Sequence, residues 1–243
     1  MTGEMPVKTP HIGTLNEKPL HASLKQWAAE EGDRFEVPVG RFVADIVRGE
    51  QIIEIQTGST SVLKRKLAAL LAKHSVRLLI PIAAVKKLTT VDDAGLTVGS
   101  RRSPKRRSLL DAFDELIHLR TFLGDPNFTV DILLIHEEEV RRPRSRPRQR
   151  RYQKKWEIHE RRLIDVVDSV SLHHPADYLA FIPPTLADPF TTTDFAREIG
   201  RPRPAATKIA YVLREIGILT ATGKSGNSIL YTRSFGFGPG RSE

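Results

Sequence analysis

The sequence predicts an α/β protein built on a mixed β-sheet, followed by a smaller C-terminal domain. Three observations carry this expectation. Over residues 15–82 the apolar residues switch between helical and alternating spacing in the order αβββαβ. Within that span residues 42–56, FVADIVRGEQIIEIQ, place two apolar runs around Gly49 and Glu50, the pattern of a two-residue hairpin loop with glycine first. After Pro183 and Pro184 the composition changes, and residues 185–235 read as two short helices and two short strands.

Taken in order, residues 1–14 read as a flexible tail and residues 15–182 as the main domain. Asn16 can cap a helix whose first turn holds Glu17 and Pro19, and Leu20, Leu24, Trp27 and Ala28 then recur at helical spacing. Glu17 falls near that buried stripe, where the positive end of the helix dipole favours a carboxylate. Residues 34–39, RFEVPV, alternate like a strand, and Pro38 suggests an edge. A type II′ loop at Gly49 and Glu50 then sets a register: Arg48 against Gln51, Val47 against Ile52, Ile46 against Ile53 and Asp45 against Glu54. Both faces of this hairpin are largely apolar, as expected of a central pair covered on both sides. Two carboxylates opposed in such surroundings repel each other and are poorly solvated, so a cation belongs between them, and a divalent metal is the economical candidate. Gln56, two residues past Glu54, points the same way.

Residues 61–73 form the next predicted helix, with Leu63, Leu67, Leu70 and Leu71 inward and Lys64, Arg65 and Lys66 near its start. Residues 76–82, VRLLIPI, read as a buried strand. Further on, residues 95–99 suggest part of a hairpin, 109–122 an amphipathic helix, 128–135 a buried strand and 156–170 a strand. Glu137, Glu138 and Glu139 read as a solvated strand end. His173 and His174 read as a capping or surface pair.

Charge is concentrated. Nine of the 38 basic residues and no acid lie in residues 141–155, RRPRSRPRQRRYQKK, and without them 29 basic residues face 29 acidic ones. The segment reads as a basic loop that binds a polyanion, nucleic acid rather than membrane, because no amphipathic apolar face accompanies it. The absence of cysteine excludes disulfides, thiolate chemistry and Cys-based metal sites. With no signal-peptide pattern and no apolar run long enough to span a bilayer, a cytoplasmic location is expected.

The element order, with an acid in the first helix, one in the second strand and E-x-Q in the third, resembles the PD-(D/E)XK nuclease superfamily over the first third of the chain. That resemblance implies a restriction-endonuclease-like sheet core. It gives Glu17 the place of the helix-borne acid and makes Asp45 and Glu54 the metal ligands, together with the backbone carbonyl of Ile55. Gln56 stands at the lysine position, and Ala44 stands where the family often has proline. The implied chemistry is phosphodiester hydrolysis with Mg²⁺ or Mn²⁺. Gln56 can orient water but supplies no charge, which Lys64 or Lys66 would have to provide.

Residues 185–235 resemble a winged helix-turn-helix domain. By that resemblance Arg203, Thr207 and Lys208 open a recognition helix and Lys224 lies on the wing. DNA contacts are thus expected from these four residues and from Arg141, Arg142, Arg144, Arg146, Arg148, Arg150 and Arg151, with a homodimer left open. The expected function is a metal-dependent DNA endonuclease positioned by the winged helix and the basic loop. The alternative is a nuclease-fold protein that binds DNA or regulates without cutting.

Overall fold

A computed structural model describes residues 18–144 and 156–234. The order read from the sequence is present: α1 (Pro19–Ala28), β1 (Arg34–Val39), β2 (Phe42–Arg48), β3 (Gln51–Ile55), α2 (Lys64–Leu71) and β4 (Ser75–Val91). They are followed by β5 (Thr97–Arg102), α3 (Phe113–Leu119), β6 (Phe128–Pro143) and β7 (Trp156–Leu172). Helix α1 opens directly on Pro19, where the missing N–H is no loss, and its N-cap residue is Lys18. The expected cap, Asn16, lies outside the described residues. The helix expected over 109–122 is a 3-10 turn at Leu109–Ala112 leading into the shorter α3. Ser108 and Asp111 form a capping box at the start of that turn.

These strands form one mixed seven-stranded sheet in the order β1-β2-β3-β4-β6-β7, with β5 also on β4. The hairpin register is as predicted for three pairs, Arg48 with Gln51, Val47 with Ile52 and Ile46 with Ile53; the expected fourth, Asp45 with Glu54, lies beyond the end of the ladder. Gly49 carries the positive φ of 57° that the loop requires and Glu50 does not, as in a type II′ turn. Strand β1, with Pro38, is an edge, and β2–β3 lies inside the sheet. Strand β3 runs parallel to β4 and β4 parallel to β6, with α2 and α3 in the crossovers.

Apolar clusters cover both faces. On one, Leu20 and Leu24 of α1 pack on Ile46, Ile53, Ile55, Leu79, Leu133 and Ile135. On the other, Leu67, Leu70, Phe113, Leu116 and the C-terminal segment cover Ile52, Leu78, Ile80 and Ile132. Strand β4 continues well past Ile82, where the sequence had suggested its end, and β4 and β6 stay paired out to Thr90 and Arg141. Beyond Ala83 and Ile135 no described residue of β4 or β6 belongs to either cluster, so the outer halves of β4, β6 and β7 make a long ribbon. Strand β7 is the far edge, and its pairing with β6 shifts register at three places.

The C-terminal segment comprises a 3-10 segment at Pro175–Phe181, β8 (Phe190–Thr191), α4 (Thr192–Glu198), α5 (Arg203–Glu215), β9 (Leu219–Ser225) and β10 (Ser228–Arg233). Its strands form a second sheet, β8-β10-β9. Thr191 and Asp194 cap α4 reciprocally, and Gly200, with φ 60°, follows its end. This segment does not stand apart: Phe195, Ile209 and Leu213 share one apolar cluster with Phe113 and Leu116, and the Phe113 and Phe181 rings meet edge-on at 5.0 Å. Among the described residues no helix is long and apolar enough to cross a membrane.

Candidate active site

The site lies where β2 and β3 run past their last paired residues, Ile46 and Ile53. Asp45 reaches across the strand gap, its Oδ2 accepting the Ile55 N–H at 2.8 Å. The same oxygen lies 3.2 Å from Nε2 of His21 on α1. Burial alone would raise the Asp45 carboxyl, but the His21 imidazole and the Ile55 N–H outweigh it and hold the group below the usual carboxylate range. Because Asp45 is ionised, the shared proton belongs on His21 Nε2.

Glu54 is in a different state. It sits in an interior strand and is 3% exposed, and burial together with the neighbouring Asp45 charge pushes its carboxyl up to about 7, against the opposing pull of Lys66. Lys66 Nζ lies 2.5 Å from Glu54 Oε2 and donates to the Val43 carbonyl at 2.6 Å. The other oxygen, Oε1, is buried and accepts no hydrogen bond. A carboxylate with one oxygen on Lys66 and one buried oxygen without a hydrogen bond, beside a second carboxylate, fits a hard, oxygen-preferring divalent cation. Among the described residues, no group of three or more His, Asp or Glu side chains is placed to hold a metal. Glu17, the expected third acid, lies outside the described residues.

Three expected roles are redistributed. Lys64, at the exposed start of α2, is not the lysine that meets the acids; Lys66 is, because residues two apart on a helix project about 200° apart. Gln56 shares a cleft with Ile80, Ile82 and Glu115, on the α2 and α3 side of the sheet, but its amide is bonded away from the acids. Strand β3 ends at Ile55, and the Gln56 amide turns to donate to the Ser59 carbonyl at 2.9 Å. At Ile55 the backbone group engaged with the acids is the N–H.

Beside Gln56, Thr57 and Gly58 a cleft of about 270 Å³ opens toward Lys86, Glu139 and Arg161 at the base of the ribbon. Here the sequence misled. Glu137 and Glu139 are not solvated: they are 0% and 3% exposed. Arg161 donates from Nε and Nη2 to Glu137 Oε2 at 3.0 and 2.5 Å, and from Nη1 to the Thr57 carbonyl at 3.0 Å. Lys86 donates to Glu139 Oε2 at 2.8 Å. Its Nζ also lies 2.7 Å from Glu137 Oε1, an ion pair outside hydrogen-bonding geometry. Arg141 holds the other Glu139 oxygen.

The residues expected to meet nucleic acid divide. Arg144 is exposed, and Arg146, Arg148, Arg150 and Arg151 lie outside the described residues. Arg141 is committed to Glu139 and stacks on the Trp156 ring at 3.4 Å, and Arg142 is bonded to Glu157. On the C-terminal segment Arg203, Thr207 and Lys224 are exposed, but Lys208 is ion-paired with Asp114 of α3. The α5 face carrying Lys208 thus turns toward the large sheet's helices.

A family model described as a domain of unknown function, DUF8091, matches residues 18–173. The chain belongs to the DUF8091 family. The matched span holds α1 to β7, so the acid pair, Lys66 and the ribbon all lie inside the DUF8091 domain, and α4 and α5 follow it. The chain is also similar to an uncharacterized protein of Treponema pallidum (strain Nichols), 27% identical over 226 residues, which cover 91% of this chain and 87% of that one. No solved structure gives a significant match.

His21 escaped the sequence reading because its spacing places it beside the apolar stripe of α1 and nothing local marks its partner 24 residues on. Lys66 was visible as one of three adjacent cations, and a helical wheel anchored on Leu63, Leu67 and Leu70 would have turned it toward the sheet.

Proposed function

We propose that the protein is a metal-dependent DNA endonuclease of the PD-(D/E)XK kind, with α1 to β4 as its restriction-endonuclease-like core and α4 to β10 as a winged helix. One observation carries the reading: Asp45 and the buried Glu54 sit side by side at the end of a central hairpin with a lysine ammonium against them. Lys66 supplies from α2 the positive charge that Gln56 lacks. Asp45 and Glu54 would hold Mg²⁺ or Mn²⁺, which when bound lowers the pKa of water and offsets charge on the phosphate. Asp45 is fixed for this by the Ile55 N–H and His21. Glu54 must give up its proton, so cation binding strengthens as pH rises toward 7 and above. The Lys66 ammonium, freed from Glu54, is left to face the anionic substrate.

DNA affinity would come from the basic residues around the ribbon tip and from exposed Arg203, Thr207 and Lys224. Since Arg141 and Arg142 already have acidic partners, the electrostatic weight falls on Arg144 and residues 145–155. Deleting 145–155 should flatten the salt dependence of duplex binding, and an unchanged slope would refute that role.

A second reading is favoured by one contact: the Lys66 ammonium itself sits against Glu54 Oε2, in the place a bound cation would take. In that reading the protein binds DNA and does not cut it. Incubating supercoiled plasmid with Mg²⁺ or Mn²⁺, beside Asp45→Ala and Glu54→Ala, separates the two. Nicking that both substitutions abolish supports the endonuclease; DNA binding with no metal-dependent nicking sinks it.

A further inference from the structure

The cleft next to Glu54 holds a buried ion-pair network that the proposed chemistry does not use. Glu137 is fully occluded in β6, a place where an apolar side chain would cost less. Its partner is an arginine, and geometry shows why a lysine would not serve. One planar guanidinium directs Nε and Nη2 at a single carboxylate oxygen and Nη1 at the backbone carbonyl of Thr57, 104 residues away in sequence. A lysine carries its three donors on one nitrogen, so it meets two acceptors only where both surround that point, as at Lys66, and it cannot reproduce the spaced fork that places three N–H groups here. Thr57 is the third residue after Glu54, in the loop that carries the chain from β3 toward α2 and Lys66. The guanidinium therefore ties the ribbon to the loop between the two charged halves of the candidate site. Lys86, between Glu137 and Glu139, and Arg141, on Glu139, extend the network outward along the ribbon.

We infer that Arg161, oriented by Glu137, is a positioning residue that fixes the loop after β3 and so sets how Glu54 and Lys66 face each other. Neither residue touches the acid pair, so the effect passes through the Thr57 carbonyl. The cleavage arm of the test rests on the endonuclease reading; the hydrogen-exchange arm does not.

The test uses the full chain with two variants. Arg161→Lys keeps the charge and loses the bridge. The double variant Arg161→Met with Glu137→Met removes the whole pair, leaving no buried charge unpaired there should the single variant fold poorly. In a variant whose urea midpoint stays near wild type, amide exchange over residues 56–61 should quicken at least tenfold while exchange in α1 and α5 is unchanged. If the wild type nicks plasmid, the same variant should lose at least tenfold in kcat with KM and duplex affinity unchanged, a split that mere loss of fold would not give. Exchange over 56–61 that stays at the wild-type rate in a folded variant overturns the proposal, whether or not the protein cuts DNA. Absence of nicking in the wild type alongside faster loop exchange in the variant would overturn the endonuclease reading and leave the positioning role standing.

Discussion

Two acid pairs lie in the same sheet, and their environments are opposite. Glu137 and Glu139 are surrounded by three cations, Lys86, Arg141 and Arg161. Asp45 and Glu54 have one lysine and one imidazole between them, and Glu54 keeps a buried oxygen without a partner. The consequence shows in protonation: Lys86 and Arg141 outweigh burial and hold Glu139 below the usual carboxylate range, whereas burial and Asp45 push Glu54 up to about 7. Glu54 is buried like Glu137 and Glu139. What differs is the number of positive groups supplied, and a pair left short of them is the one with capacity to take a ligand.

That contrast can be broken in four ways. The largest effect should come from Glu137→Ala, which strands Arg161 in the sheet and should cost about 3–5 kcal/mol in urea unfolding. Next is the pH dependence of Glu54. The folded protein keeps the Glu54 proton up to about 7, while the unfolded chain releases it near the ordinary glutamate value of 4.5. Between those values the folded state binds more protons, so stability falls as pH rises. Wild type should lose up to about 3 kcal/mol relative to Glu54→Gln between pH 4.5 and 7.5, read from unfolding midpoints at each pH. A difference that does not change with pH would show that Glu54 is satisfied after all. Third, Asp45→Asn should lower metal-dependent nicking by about 100-fold or more, roughly 2.7 kcal/mol of barrier, with duplex binding retained. The smallest effect is expected at the half-exposed pair joining α5 to α3: Lys208→Ala should change stability by less than about 1 kcal/mol.

The sequence was most readable where local chemistry decides structure. Gly49 fixed the loop, and the loop fixed the register from Arg48 and Gln51 to Ile46 and Ile53, the pair next to which Asp45 and Glu54 lie. It was least readable where a partner comes from far along the chain. His21 meets Asp45, and Arg161 meets Thr57, only because distant elements stack on the sheet. Glu137 and Glu139 read as a solvated strand end, because polar residues that neutralise one another inside a sheet resemble, one at a time, residues facing water. Strand β4 seemed to stop at Ile82 for the same reason, since its continuation is half polar. The Asp114 partner of Lys208 was not legible, because helical spacing shows which face is polar and not which polar face another helix will meet.

The three register shifts between β6 and β7 carry a consequence of their own. Strand β7 is a 17-residue outer edge with Ile158, Ile164 and Val167 exposed, the kind of border on which a second polypeptide could grow as an added strand. The shifts interrupt its straight run of backbone donors and acceptors, and Glu157, Arg162, Asp165 and Asp168 spread charge along it. Interruptions and charges of this kind make a long, partly apolar border a poorer template for an added strand.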